Sequence, residues 1–467
     1  MAPLSSLNRR GRGVVFLLFA LALTALLWGV TFRSSVATEP LPAAGAASSL
    51  AASKREWQGV ASCASTACHG GNGPKGSKGS EYTTWVLYDK HTRAYNILFD
   101  ERSKIIEKNL RHLKNVTSAH AETDDLCLRC HAMNAEKGPQ RESFVRDFGI
   151  GCESCHGTAQ EWLGVHYASD WKSRNDEDKR KLGFQPMKQL ADRAQLCVTC
   201  HVGTADKEVN HDLIAAGHPR LNFEFGAFQA IMPKHWREEG ENARPDFEAR
   251  AWAVGQIASA RAALELLAHR SRSSAEPWPE FAEYDCFACH HDLREPSWRQ
   301  KPGHYVGRTP GSFPWGTWYY AMLPQALRGS EDKGNGRVSS SLSELKKEME
   351  KPSPNQNQIA ERAREVRAQL GRLLTEEEKR HYEQTAVESW FQSIRKDEQK
   401  TAAANWDGAA QVYLALAALY NALGDMDPGH RDARMRDSLK ARAKPLEFPN
   451  GYDSPREWEP KGNNDSK

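Results

Sequence analysis

Residues 152–156 read Cys152-Glu153-Ser154-Cys155-His156. The frame returns three times, as Cys127-Leu128-Arg129-Cys130-His131, Cys197-Val198-Thr199-Cys200-His201 and Cys286-Phe287-Ala288-Cys289-His290. A fifth copy is stretched by two residues: Cys63-Ala64-Ser65-Thr66-Ala67-Cys68-His69. The chain has ten cysteines in 467 residues, and these five frames use all of them. Cys-x-x-Cys-His is the attachment sequence of c-type haem: two thiols bond to the porphyrin, and the adjacent histidine reaches the iron from one face. The expected cofactors are therefore five covalently bound haem c. Cys63, Cys68, Cys127, Cys130, Cys152, Cys155, Cys197, Cys200, Cys286 and Cys289 would hold them, with His69, His131, His156, His201 and His290 as proximal iron ligands. A disulfide framework also uses an even cysteine count, but it needs no histidine after every second one. Zinc sites built on paired cysteines would leave five identically placed histidines unexplained.

The second axial position decides what each haem does. A histidine there gives a low-spin carrier of low potential, a methionine raises the potential, and an open position leaves the iron free to bind a small molecule. Seventeen histidines less five leaves twelve. The strongest distal candidates are His91, in a stretch from Trp85 to Ala94 that reads as a helix, and His166, ten residues after His156. His218, His235 and His211 come next. His211 and His218 flank Asp212–Gly217 ahead of Pro219, and His235 precedes Trp236. His291 directly follows His290 and points to a neighbouring haem if it ligates at all. His112, His120, His269, His304, His381 and His430 have weaker contexts. No methionine has a persuasive setting.

The rest of the chain suits an exported protein. Residues 1–12 carry Arg9, Arg10 and Arg12 ahead of an uncharged apolar run over 13–32, long enough as a helix to span a bilayer. The arginines favour a cytoplasmic N-terminus. The run reads as a retained anchor, with a cleaved signal peptide as the alternative because Ser35-Val36-Ala37 resembles a cleavage site. Residues 33–55, rich in Ala, Ser and Pro, read as a linker. Residues 56–325 form the expected pentahaem domain, in which 251–270 reads as an amphipathic helix. Residues 325–340 read as a polar surface loop. The region 341–430 reads as helices over Ser341–Lys351, Asn357–Leu373, Thr375–Arg395 and Trp406–Leu423, and 450–467 as a flexible tail. The fold class is mainly α with much irregular structure: a chain wrapped around stacked haems, plus a C-terminal helical bundle. With 63 basic and 60 acidic residues, the charge leaves no nucleic-acid footprint.

The stretch Gly151-Cys152-Glu153-Ser154-Cys155-His156-Gly157 followed by His166, together with Trp85, His91 and Ala94, resembles the cytochrome c-554 family, multihaem electron carriers of ammonia-oxidising bacteria. The resemblance covers roughly residues 60–220. It implies closely stacked haems, ligation by the histidines at positions 91 and 166, and an open iron at the second motif, Cys127–His131. The stretched first motif, the fifth motif and the helical extension depart from the four-haem pattern.

These readings converge on a periplasmic-side pentahaem c-type cytochrome, an electron-transfer protein rather than an enzyme. It would pass electrons between redox proteins in a respiratory or nitrogen-compound pathway and be tied to the inner membrane by its N-terminal segment, or be soluble in the periplasm after signal cleavage. Two alternatives stand beside it. One is a multihaem oxidoreductase whose open second haem takes a small nitrogen species such as nitric oxide. The other is a membrane quinol dehydrogenase, against which the linker ahead of Cys63 argues. An ammonia-forming nitrite reductase is disfavoured, because no Cys-x-x-Cys-Lys motif is present.

Overall fold

The computed structural model describes residues 55–114, 120–133, 146–274, 277–290, 309–328, 334–402 and 405–446. The expected anchor, the linker up to residue 54, the tail, His291 and His304 lie outside the described residues. Short helices fill the N-terminal half: α1 Glu81–Tyr88, α2 Glu101–Lys114, α3 Asp125–His131, α4 Cys152–His156, α5 Asp176–Lys181, α6 Leu190–His201, α7 His211–Ala216 and α8 Phe225–Ile231. Longer ones follow: α9 Phe247–Arg270, then α10 Leu323–Ala326, α11 Gly334–Met349, α12 Gln356–Glu378, α13 Gln384–Ala402, α14 Trp406–Met426 and α15 Ala433–Ala443. Among the described residues β pairing is limited to two isolated bridges, Thr204 with Lys207 and Tyr284 with Trp315. The protein is thus mainly helical with much irregular chain.

The hub is α9. It was expected to show one apolar face, yet eighteen of its 24 residues are buried, as in a helix enclosed on all sides. It packs against α6 and α8 from the N-terminal half and against α12 and α14 from the C-terminal part. Small residues permit this crowding. A Cβ placed on Gly255 would lie 2.5 Å from the Cβ of Phe225 in α8.

Two expected boundaries move for physical reasons. The loop read over 325–340 is helical from Gly334. Val338, Leu342, Leu345 and Met349 recur at helical spacing and are buried in the cluster that α12 shares, so packing overrides the local Gly/Ser content. Thr375 does not open a helix. It sits inside α12, its hydroxyl donating to the Gly371 carbonyl one turn back (3.2 Å), while Leu370, Leu373, Leu374 and Glu377 stay buried around it.

α12 also fixes the N-terminal half directly. The Glu378 carboxylate accepts the N–H groups of Leu190 (3.2 Å) and Ala191 (2.6 Å), capping α6 from a distant part of the chain. α6 ends in the fourth cysteine–histidine motif. Among the described residues no helix is long and apolar enough to cross a membrane.

Candidate haem-binding sites

The motif works by making one helical turn. Residues i, i+3 and i+4 share a helix face, so two cysteines and the following histidine point together. Three motifs are helical: the ends of α3 and α6, and the whole of α4. The fifth opens as a 3-10 turn over Cys286–Ala288, with Asp285 accepting the Phe287 N–H at 3.0 Å. The stretched first motif closes differently. A 3-10 turn ends at Cys63, and the Ser65 carbonyl then accepts both Cys68 N–H and Gly70 N–H at 2.9 Å. The two extra residues form a bulge that returns Cys68 to the motif. None of the ten cysteines forms a disulfide.

Each motif histidine faces a second histidine from elsewhere in the chain. The ring centroids of His69 and His166 lie 6.1 Å apart, those of His131 and His218 6.4 Å, and those of His156 and His235 6.3 Å. His201 and His91 are 5.9 Å apart, and His290 and His211 6.4 Å. These separations are too long for ring stacking contact and nearly constant. With metal–nitrogen bonds of about 2.0–2.1 Å and ring centroids about 1.1 Å behind the nitrogen, two imidazoles on opposite faces of one ion put their centroids about 6.3 Å apart. The donor set therefore fits an iron held by two histidines at all five motifs. The cysteine pairs beside each proximal histidine fit covalent attachment of the porphyrin.

Hydrogen bonds at Nδ1 leave Nε2 free to ligate a metal. The Nδ1 of His131 pairs with the Ala94 carbonyl (2.8 Å), that of His166 with the Leu163 carbonyl (2.7 Å) and that of His218 with the Pro219 carbonyl (2.8 Å). Carboxylates take this role at His69, from Glu81 (3.0 Å), and at His91, from Asp89 (2.9 Å). Burial pushes His156, His201 and His218 down to about 4, which keeps them as the neutral imidazoles a metal requires.

The local sequence explains these positions. His91 was expected inside a helix. Instead α1 ends at Tyr88, and Asp89 caps a 3-10 turn over Lys90–Arg93, accepting the His91 backbone N–H at 3.0 Å. One carboxylate oxygen holds both the backbone and the ring of His91. In α7, Asn210 caps the start by accepting the Leu213 N–H (3.1 Å), and Gly217, with φ of 121°, ends the helix. The His211 N–H donates to Glu280 (2.7 Å), while Arg102 and Asn109 of α2 donate to the carbonyls of Gly217 (2.8 Å) and Ala216 (2.9 Å). His211 at the start of this short helix thus meets His290 of the fifth motif, and His218, two residues past its end, meets His131 of the second.

Contacts between motifs order the sites. The helix Cys152–His156 packs on the Val60–Cys63 turn, and the thiols of Cys63 and Cys152 influence each other's ionisation, placing the first motif beside the third. Arg129 of the second motif donates to the Asp206 carbonyl just past the fourth (2.6 Å), and the thiols of Cys130 and Cys200 influence each other's ionisation, placing the second beside the fourth. Cys155 lies within electrostatic reach of Cys197 and Cys200, placing the third near the fourth. α7 links the second to the fifth. The C-terminal helices support this last site: Phe287 packs with Trp318, Trp406 and Ala410, and Asp407 of α14 holds Arg220 through two bonds of 2.8 and 2.9 Å.

The remaining described histidines stand apart. His120 pairs weakly with Glu107 at 3.4 Å, His381 with Glu241 and His430 with Asp427 and Glu388, while His112 and His269 are exposed. Sequence reasoning missed the supporting residues Asp89, Glu81, Glu153 and Glu280. The Asp-x-His spacing of residues 89–91 was a legible signal for the first. Glu153 was not legible: its buried carboxylate accepts the N–H groups of Gln58, Gly59 and Ala159 (3.0, 2.8 and 2.7 Å), a role visible only in three dimensions.

Residues 62–157 match the model of a protein family described as cytochrome c554 and c-prime. No curated protein and no solved structure matches the chain. The matched stretch holds the first three motifs, and two more of the same build follow it. Over residues 62–157 the chain is similar to that family, which supports a c-type cytochrome that transfers electrons through covalently bound haem.

Proposed function

We propose that the protein is a five-haem electron conduit with two histidines on every iron. The pairs would be His69 with His166, His131 with His218, His156 with His235, His201 with His91 and His290 with His211. The observation that carries this reading is the near-constant separation of the five pairs, 5.9–6.4 Å. When bound, haem supplies one-electron chemistry. The chain supplies axial nitrogens of the correct tautomer, buried surroundings, and an order of contact that runs first, third, fourth, second, fifth motif. The first and fifth sites are then the ends at which redox proteins exchange electrons. The open-iron alternative needs a vacancy opposite His131, and His218 faces that ring.

Haem stoichiometry tests the count. The holo-protein mass should exceed the apo mass by five haem masses, stable to acid-acetone extraction; four would remove the stretched first motif from the set. We further infer a location on the periplasmic side of the inner membrane, anchored through residues 13–32. The protein should fractionate with membranes and require detergent for release. A soluble form starting near Thr38 would replace the anchor by a cleaved signal.

A further inference from the structure

Two of the ten paired imidazoles meet a carboxylate among the described residues, and they are not equivalent. His91 Nδ1 lies 2.9 Å from Asp89, whose side chain is 5% exposed. His69 Nδ1 lies 3.0 Å from Glu81, whose side chain is 28% exposed. We propose that Asp89, acting through His91, makes the fourth site the lowest-potential centre of the array and so divides the conduit into two halves. This rests on the bis-histidine reading above.

A carboxylate that accepts the Nδ1 proton of a ligating imidazole draws the ring toward imidazolate. The ring becomes a stronger donor and favours ferric over ferrous iron. The carboxylate charge acts in the same direction, more strongly where water is excluded. Both terms are larger at Asp89 than at the more exposed Glu81. Elsewhere the acceptors are neutral carbonyls, at His131, His166 and His218. At the third site His156 Nδ1 and His235 Nδ1 are buried without a hydrogen-bond acceptor; the Asp89 and Glu81 charges also reach His235, but neither carboxylate is hydrogen-bonded to that ring as Asp89 is to His91. The Glu153 carboxylate is taken up by three backbone N–H groups rather than by a ligand ring. Lys207, 3.8 Å from Cys200 Sγ, opposes Asp89, but it touches the attachment thiol rather than an axial ring.

The fourth site is the middle of the contact order. A low-potential centre there holds its electron least readily. Electrons therefore rest on the first and third sites or on the second and fifth, and cross the middle one at a time. Asp89 is thus a positioning residue that also sets a potential.

Spectroelectrochemical titration of the holo-protein, resolved into five one-electron components, tests this. Asp89→Asn keeps an oxygen for both His91 contacts but removes the charge. It should raise the lowest component most, by up to about tenfold in its reduction equilibrium, about 59 mV for one electron, with a smaller rise in one other component from the third site, which the same charge reaches. Asp89→Glu should leave that component low, and Glu81→Gln should raise a different component by less. Haem count and low-spin spectra should be unchanged in all three. Five retained low-spin haems with an unmoved lowest component in Asp89→Asn would overturn the proposal. If that variant loses a haem, Asp89→Glu decides: a lowest component that stays low supports the proposal, and one that rises among the others overturns it. A wild-type count below five, or a high-spin signal, would break the bis-histidine reading instead.

Discussion

At the scale of single residues, His218 decides what the second site can do. Its ring lies beside that of His131 and is held by the Pro219 carbonyl, so on the proposed pairing an iron there would have no free face. Reduced wild-type protein should bind no carbon monoxide. His218→Ala should open one site and bind one equivalent per five haems with a matching high-spin ferric signal; gas binding by the wild type would refute the assignment. The motif residues were legible because covalent chemistry demands a fixed local spacing. The pairing was not, because it joins residues far apart in sequence, from 79 positions for His156 and His235 to 110 for His91 and His201. Local context could raise His91, His166, His211, His218 and His235 above the other histidines, but it could not say which faces which.

At the scale of elements, α7 is the most heavily used short helix. Its six residues and the Gly217 turn after them place His211 and His218 beside their partner histidines, and the ends are fixed by Asn210, Glu280 and the α2 side chains. Asn210→Ala removes a cap worth about 1 kcal/mol. Because both histidines move with the helix, the variant should disturb the second and fifth sites together, seen as two altered low-spin components in the electron paramagnetic resonance spectrum. A change confined to one site would show that α7 does not couple them. The α7 punctuation, Asn before and Gly-His-Pro after, was readable from sequence. The boundaries of α11 and α12 were not. Burial of Val338 and Leu345, and of the residues around Thr375, outweighs the local signals that suggested a loop and a helix start.

At the scale of the molecule, the C-terminal helices complete the fifth site and enclose α9, so they belong to the same structure as the motifs. The Arg220–Asp407 pair is the hinge of that arrangement. Both side chains are largely buried, at 16% and 4% exposure. Asp407→Ala would leave a buried, uncompensated guanidinium and should cost about 3–5 kcal/mol. The expected readout is a lower melting temperature with preferential loss of the fifth haem; unchanged stability would mean that α14 is an independent appendage. The central claim, five irons each between two histidines, is tested most directly by low-temperature electron paramagnetic resonance of the fully oxidised holo-protein. The imidazole planes are near parallel at the first and fifth pairs, 18° and 34°, and near perpendicular at the fourth, second and third, 80°, 83° and 83°. Parallel planes split the iron d orbitals and give rhombic signals, while crossed planes leave them nearly degenerate and give large-anisotropy signals. The spectrum should integrate to two rhombic and three large-anisotropy low-spin centres with no high-spin component. A high-spin signal amounting to one haem in five would contradict the account.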